Sequence, residues 1–213
     1  ASSKTNIRMY YLILDQSKTL SGLSHSLQHQ TVLFSRSSFP SGVEEHIRIL
    51  SVVEDKDVTI VAHLKSSADI MVMLLATDAV RRAKAKSVSL IIPYLPYARQ
   101  DRVCEIGEAL SAKVMADLIN SQGYKTVEAY ECHSDVMPAL INNFIQPKVI
   151  RHIANALADN PGAVLCAPDN GATKRVQQVA DHFTHMFYSC KPIIQATKSR
   201  VDGRVQVASV NGD

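Results

Sequence analysis

The sequence lacks several short motifs that mark common enzyme classes. It contains no G-x-x-x-x-G-K-[ST] loop and no G-x-G-x-x-G turn, so it predicts neither a P-loop kinase nor a dinucleotide-binding Rossmann domain. A G-x-S-x-G elbow is absent as well. The four cysteines lie far apart without a C-x-x-C pair, which argues against a tetrahedral zinc site. Cys132 and Cys166 fall in apolar strands, where we expect buried thiols that act as small hydrophobes.

Long apolar runs and a strong charge imbalance are missing too. No run comes near the roughly 18 apolar residues of a membrane span, and the sequence shows no signal-peptide pattern. The formal net charge of +3 is too small to indicate the basic face of a duplex-binding protein. Together with the unpaired cysteines, these features predict a cytoplasmic protein that binds neither a membrane nor nucleic acid.

Strand and helix patterns alternate along nearly the whole chain. Strands are predicted at 9–14, 31–34, 46–50, 58–64, 87–92, 126–132, 163–167, 186–190 and 204–210. Helices are predicted at 17–28, 68–84, 110–121, 147–157 and 171–183. This alternation predicts an α/β fold with parallel sheets and right-handed crossovers.

A proline at position 147 opens a helix and suggests a domain boundary. We therefore expect an N-terminal domain at 1–147 and a second domain at 148–213. A second domain of only about 65 residues would bury little core by itself. We expect that the chain is truncated and that this domain is incomplete.

The most informative segment is P-Y-L-P-Y-A-R-Q-D-R at 93–102, directly after the apolar run 88–92. That run predicts a buried parallel strand, and ligands of open α/β sheets bind where such strands end. Tyrosine rings suit a nucleotide base, and arginine forks suit its phosphates. A surface turn with packed tyrosines and solvated arginines explains the same residues equally well.

With S-A-K-V-M-A-D at 111–117, this segment resembles the ribose-phosphate diphosphokinases, or phosphoribosyl pyrophosphate synthetases. The segments that match occur in the family's order, at 39–44, 93–102, 111–117, 131–135, 167–175 and 198–200. The resemblance implies two phosphoribosyltransferase-like α/β domains with parallel sheets flanked by helices, the first of which binds ATP. It also implies Mg²⁺-dependent transfer of diphosphate from ATP to the 1-hydroxyl of ribose 5-phosphate. The products would be phosphoribosyl diphosphate and AMP, for nucleotide and NAD biosynthesis.

The resemblance implies a set of residues that contact the ATP phosphates. Arg99, Gln100 and Asp101 are expected to hold ATP. His133, in a segment similar to the family's D-L-H-A motif, is expected to contact ATP and Mg²⁺. Glu131 stands where that motif has aspartate. Without the resemblance, a histidine at a strand end is more often a hydrogen-bonded structural residue.

The segment 39–44 resembles the F-S-D-G-E loop that packs on adenine in this family. Phe39, Ser41 and Glu44 would then belong to the ATP site, although Ser41 replaces an acid and Glu44 aligns only with a one-residue insertion. The family loop is often supplied by a neighbouring subunit, so the resemblance implies a homo-oligomer. A turn between two strands accounts for Pro40 and Gly42 without a ligand.

Two segments near the C-terminus complete the implied site. A-P-D-N-G-A-T-K-R at 167–175 resembles S-P-D-x-G-G-x-x-R, which makes Asp169 a magnesium ligand, with Ala172 in place of the second glycine. Asp169 as a helix N-cap is the alternative. Lys198 and Arg200 match the family's catalytic Lys-x-Arg in a mobile loop; from the sequence alone they form an exposed basic loop.

One family element is absent from the 213 residues, the D-D-x-x-x-T-G-G-T loop for the sugar 5-phosphate. We therefore expect this chain to bind ATP but to turn over poorly, and robust AMP production from ATP and ribose 5-phosphate would refute this. Two other functions are compatible with the sequence. One is a non-catalytic regulatory subunit of a synthetase complex, and the other is a phosphoribosyltransferase that consumes the diphosphate.

Overall fold

The computed structural model describes residues 9–14, 30–133, 135–201 and 204–211. The chain divides into two compact units, Ala1–Pro147 and Lys148–Asp213, and each has its own cluster of buried apolar residues. No helix of the described segments is long and apolar enough to cross a bilayer.

The first unit is built around a parallel sheet. Its strands are β1 (Tyr10–Ile13), β2 (Phe34–Ser38), β3 (Glu45–Ile49), β4 (Asp57–Val61), β5 (Ser87–Tyr94), β6 (Val127–Glu131) and β7 (Phe144–Ile145). Its helices are α1 (Ser67–Arg82), α2 (Ser111–Ser121) and α3 (Val136–Leu140). Five strands form the sheet in the order β1-β4-β5-β6-β7, with parallel pairing throughout. Strands β2 and β3 form a separate antiparallel hairpin.

The central strands are buried on both faces because helices cover a parallel sheet. Leu12, Ile60 and Leu90, in three adjacent strands, are fully buried, and such strands are near-continuous apolar runs. Helix α1 begins with a capping box, in which the Ser66 side chain accepts a hydrogen bond from the Asp69 amide and the Asp69 carboxylate accepts one from Ser66. Its start is therefore fixed beside the carboxyl end of β4.

The second unit is smaller. It contains α4 (Ile150–Ala158), β8 (Leu165–Ala167), a 3₁₀ turn at Asn170–Ala172, α5 (Thr173–Phe187), β9 (Ile193–Val201) and β10 (Arg204–Asn211). Its sheet has the order β10-β9-β8, with β8 parallel and β10 antiparallel to β9. The apolar faces of the two helices and β8 form its core through Ala154, Leu157, Leu165, Val179, Ala180 and Phe183.

The alternation predicted from the sequence is confirmed for the parallel sheet of the first unit. The predicted strand at 46–50 is confirmed as β3, whereas the strand predicted at 31–34 lies instead at Phe34–Ser38 as β2. The two strands form an antiparallel hairpin outside the parallel sheet. The predicted strand at 186–190 is wrong, because α5 continues to Phe187. There the ring of Phe187 packs on Phe183, with ring centroids 4.8 Å apart. The predicted helix at 17–28 lies outside the described residues.

The prediction of a buried thiol is wrong for Cys166, which is exposed. Successive residues of a strand point to opposite faces. In β8, Leu165 and Ala167 occupy the buried face, so Cys166 points away from the core. Cys132 is partly buried and packs against the core of the first unit.

Two methionines of α1 provide a matched test of this core. Met73 is fully buried, whereas 52% of the Met71 surface is exposed. We expect Met73→Ala to lower the free energy of unfolding by about 2–5 kcal/mol because it leaves a cavity. Met71→Ala is expected to change it by no more than about 0.5 kcal/mol. Urea unfolding followed by circular dichroism measures the free energy of unfolding of both variants. Equal losses of free energy in the two variants would contradict this packing.

Candidate functional site

The candidate site lies where β4, β5 and β6 end. These strands are adjacent and parallel, so the segments that follow them leave the same edge of the sheet. The register pairs Tyr94 of β5 with Glu131 of β6, and neighbouring strands are about 4.8 Å apart. The segments 95–102 and 132–133 therefore start side by side, as expected for a ligand site in an open α/β sheet.

The turn after β5 presents Arg99 to solvent beside buried neighbours. Leu95 and Ala98 are fully buried, whereas Arg99 is exposed and Gln100 half-buried. No described residue forms a salt bridge with the Arg99 guanidinium. Arg99 is thus a fixed positive charge that can meet an anionic ligand through a guanidinium fork.

Asp101 and Arg102 differ from Arg99 in their surroundings. The Asp101 side chain is only 15% exposed, and its carboxylate lies 3.7 Å from the Arg102 guanidinium, which is 83% exposed. The Asp101 carboxylate therefore has a charged partner within the same turn. Of the three residues predicted to hold ATP in this turn, Arg99 and Gln100 are therefore better placed for direct contact than Asp101.

His133 leaves the sheet next to this turn. It follows β6 by two positions and its side chain is exposed. Asp135 then forms the N-cap of α3 without a side-chain cap hydrogen bond. On the same strand, the hydrogen bond to Glu128, followed by burial, raises the pKa of Tyr130 to about 12. Tyr130 therefore stays uncharged at neutral pH beside the strand end.

The predicted adenine loop is the tip of the β2–β3 hairpin. The Phe39 amide donates to the Glu44 carbonyl at 2.9 Å, and the Gly42 amide donates to the Phe39 carbonyl at 2.8 Å. Gly42 has φ +71° with open space around it, so the conformation and not crowding requires glycine. Phe39 is 49% exposed, and Ser41 and Glu44 are also exposed. A half-exposed ring at a fixed tip can stack on a planar ligand.

A charged pair stiffens this hairpin near its tip. Arg36 forms a two-point contact with the Glu45 carboxylate, with Nη2 and Nε at 2.6 and 3.0 Å from its oxygens. This hydrogen bonding raises the pKa of Arg36 and lowers the pKa of Glu45. The pair is therefore fully ionised at neutral pH.

A cavity of about 130 Å³ adjoins Arg36 and was not predicted from the sequence. It is lined at the ends of β1 and β4 by Leu14, Arg36, Ala62, His63, Leu64, Lys65, Asp69 and Val72. His63 lies near the end of the predicted strand 58–64, and Lys65 directly follows it. Their position at the carboxyl end of a strand was the signal that could have predicted this cavity. The segments after β5 and β6 were recognised as candidate ligand sites because they follow strands in the same way.

Asp169 caps the 3₁₀ turn in the second unit. Its backbone is extended, and its Oδ1 accepts a hydrogen bond from the Ala172 amide at 3.0 Å. A Cβ on Gly171 would lie 3.2 Å from that oxygen. The N-cap function that the sequence left open is therefore present. The cap uses one carboxylate oxygen, so it does not by itself exclude a metal contact through the other.

Lys198 and Arg200 lie in β9, and the prediction of a loop there is wrong. The backbone register pairs Lys198 with Val207 and Arg200 with Val205 in β10. The prediction failed because T-K-S-R at 197–200 has little apolar character that would indicate a strand. This segment is a strand because its backbone pairs with the antiparallel strand β10. The sequence between the strands, Asp-Gly, is typical of two-residue hairpin connections and was the missed signal.

A magnesium ion requires a particular set of donor atoms. Mg²⁺ takes oxygen ligands and is usually held by one or two carboxylates together with substrate phosphates and water. Asp169 offers such a carboxylate, half-exposed at a strand end. In the described segments no cluster of three or more His, Cys, Asp or Glu could hold a metal by itself. A single carboxylate such as that of Asp169 suits a metal that arrives with a phosphate ligand.

The fold and this edge define a class, namely α/β proteins that present an arginine-bearing turn at the carboxyl end of a central parallel strand. The profile of the N-terminal domain of ribose phosphate pyrophosphokinase matches residues 13–123, which is more than half of the 213 residues. The chain belongs to the ribose-phosphate pyrophosphokinase family, as the resemblance predicted.

Individual relatives agree with this assignment. The chain is 30% identical over 182 residues to a ribose-phosphate pyrophosphokinase of Mycoplasma pneumoniae, covering 81% of this chain and 55% of the relative. It is 30% identical over 185 residues to the ribose-phosphate pyrophosphokinase of Methanosarcina acetivorans, which covers 83% of this chain and 64% of the relative. The chain thus spans between about half and two thirds of these relatives' lengths.

A solved structure shares the fold. The phosphoribosylpyrophosphate synthetase from Mycobacterium smegmatis superposes with a TM-score of 0.72 at 20% sequence identity. The match covers 95% of this chain and 67% of the other. At this identity the likeness concerns the fold.

The Arg36–Glu45 pair yields a pH prediction. Because the pKa of Glu45 is lowered, the pair should be complete above the usual pKa of a glutamate, about 4.3. It should be lost as the pH falls through the lowered value. Arg36→Gln should return the pKa of Glu45 towards its usual value, as carbon NMR of the carboxyl group can measure. Arg48→Gln, in the same hairpin, is the control, and an equal effect of both variants would contradict the pairing.

Proposed function

We propose that this chain is the ATP-binding part of a magnesium-dependent ribose-phosphate diphosphokinase. The observation that carries the proposal is the family match over residues 13–123, within which the exposed Arg99 follows the central strand β5. In this proposal 1–147 is an ATP-binding phosphoribosyltransferase-like domain. Residues 148–213 belong to a second such domain.

The triphosphate would lie along the carboxyl edge of β5 and β6. Arg99 would pair with phosphate oxygens through its guanidinium fork, and Gln100 would add a neutral amide donor. His133, exposed at the neighbouring strand end, can donate to a phosphate oxygen. Asp101 would act mainly by keeping the turn in place, since its side chain is largely covered.

The adenine would stack on Phe39, with Ser41 and Glu44 beside it. Stacking of a base on an aromatic ring contributes roughly 1–3 kcal/mol, and Phe39 has half of its surface available. The two-point contact between Arg36 and Glu45 keeps the hairpin rigid below its tip. A projecting rigid hairpin also suits a site shared between subunits, which supports a homo-oligomer.

His133, in the first unit, is proposed as a contact of Mg²⁺ and the ATP phosphates. Asp169, in the second unit, is proposed as a carboxylate ligand of Mg²⁺. The ion, when bound, neutralises charge on the phosphate oxygens. The capping hydrogen bond from the Ala172 amide fixes the Asp169 carboxylate in one orientation. This chain's contribution is therefore an oriented oxygen donor at the end of β8.

The proposed reaction transfers a diphosphoryl group. The 1-hydroxyl oxygen of ribose 5-phosphate attacks the β-phosphorus of ATP, and the bond from that phosphorus to the α,β-bridging oxygen breaks. AMP leaves with the bridging oxygen, and the proton of the hydroxyl is released. Lys198 and Arg200 would stabilise the negative charge that develops on the transferred group, which is the main requirement of phosphoryl-type transfer.

A regulatory subunit is the second candidate, and departures from the family motifs favour it. Ser41, Glu131 and Ala172 stand where an acid, an aspartate and a glycine are usual. A binding protein with the same fold would keep the Arg99 site and lose turnover. The retained Lys198 and Arg200 favour the enzyme.

The ATP site can be tested by removing its central charge. Arg99→Ala should weaken ATP binding by about 10- to 100-fold, because hydrogen bonds to charged groups contribute about 1.5–3 kcal/mol. Isothermal titration calorimetry with ATP and Mg²⁺ gives the dissociation constant.

Arg82→Ala is the matched control. Arg82 is exposed and paired with Asp78 on α1, so its loss should leave ATP binding unchanged. If both variants bound ATP as tightly as the wild type, the proposed site would be wrong.

Lys198 distinguishes an enzyme from a regulatory subunit. In a form of the chain extended by a sugar-phosphate loop, we expect Lys198→Ala to leave ATP binding within about threefold. The formation of AMP should fall by about 100-fold or more, as when one stabilising group of a transition state is removed. Coupled assay of AMP measures the rate. An extended chain that binds ATP without turnover, with or without Lys198, would indicate the regulatory subunit.

A further inference from the structure

The turn that carries Arg99 and Gln100 has an unusual residue at its centre. We propose that Tyr97 is a positioning residue, which fixes the direction in which the segment 95–102 presents these two side chains. The identity of the ligand, ATP, rests on the proposed function. The geometry of the turn does not.

The backbone of Tyr97 is left-handed, with φ 61°. Residues other than glycine, and bulky ones above all, rarely adopt this conformation. Where they do, the surrounding structure must hold it. Leu95 and Ala98 on either side are fully buried, so the chain is anchored before and after Tyr97. The left-handed residue between these anchors sets the path by which the chain reaches Arg99.

The side chain of Tyr97 is tied to the start of α1. Its hydroxyl shares a hydrogen bond of 3.0 Å with Oγ of Ser67, the first residue of that helix. Tyr97 also lines an apolar groove together with Met71 of α1 and Met115 of α2. The ring and hydroxyl thus connect the turn to a helix of 16 residues, a rigid support.

The main chain of the turn is tied to the start of α2. The Ser111 hydroxyl donates to the Tyr97 carbonyl at 3.1 Å, and the Ala112 amide donates to the Gln100 carbonyl at 3.1 Å. At the other end of the helix pair, the Arg81 guanidinium donates to the Gln122 carbonyl. Helices α1 and α2 are therefore connected at both ends. Together they hold the turn at Tyr97 and at Gln100, on either side of Arg99.

A residue that served only the stability of the fold would act differently. Its loss would lower the melting temperature but would weaken ATP binding equally with and without Arg99. A positioning residue acts through Arg99, so its effect on affinity should disappear once Arg99 is removed. A double-mutant cycle separates the two.

The experiment uses Tyr97→Phe and Ser67→Ala in the 213-residue chain. Hydrogen–deuterium exchange of peptides covering 95–102 should accelerate in both variants, while the sheet strands remain unchanged. ATP affinity, measured by calorimetry, should fall about 3- to 10-fold, as expected for one lost hydrogen bond. In the Arg99→Ala background, Tyr97→Phe should change affinity by less than about twofold.

Tyr124→Phe is the matched control. The Tyr124 hydroxyl shares a hydrogen bond of 2.7 Å with Thr77, and only 4% of the residue is exposed, so the substitution removes the same kind of bond elsewhere on α1. It should lower the melting temperature by about 2–4 °C. Exchange of 95–102 and ATP affinity should not change.

The outcomes separate this inference from the proposed function. If the wild-type chain does not bind ATP, the proposed function fails, and the exchange rates alone decide whether Tyr97 holds the turn. Unchanged exchange at 95–102 in Tyr97→Phe would overturn the inference. So would an equal loss of ATP affinity in the wild-type and Arg99→Ala backgrounds.

Discussion

The parallel pairing of β4, β5 and β6 is the constraint on which the candidate site depends. Because the three strands run side by side in one direction, their carboxyl ends meet at one edge. Fully buried residues such as Leu90 anchor these strands in the apolar core of the first unit. The charged segments after the strands are brought together by an apolar core.

The turn that carries Arg99 at this edge of the sheet contains an uncommon backbone conformation. Tyr97 is left-handed, and strained residues of this kind persist only where neighbours hold them. Here the support comes from the first residues of two helices, Ser67 and Ser111. Rigid elements thus carry the strain, while the exposed Arg99 remains available to a ligand.

How much the sequence could predict depends on where the stabilising contacts lie. The run 88–92 and the turn after it were predictable because a central parallel strand is locally apolar. Strands β2 and β9 were not, because S-R-S-S and T-K-S-R are polar and pair only with an antiparallel neighbour. The exposure of Cys166 follows from alternation about Leu165 and Ala167, which requires knowledge of the buried face.

Asp169 shows why two explanations of one residue need not compete. A carboxylate has two oxygens, and the cap uses Oδ1. That hydrogen bond holds the side chain in a single orientation, which reduces the entropy lost when a cation binds. Gly171 leaves room for it, since a Cβ there would crowd the same oxygen. In the proposed function the N-cap would therefore orient a magnesium ligand, so the structural role of Asp169 does not count against the functional role proposed for it.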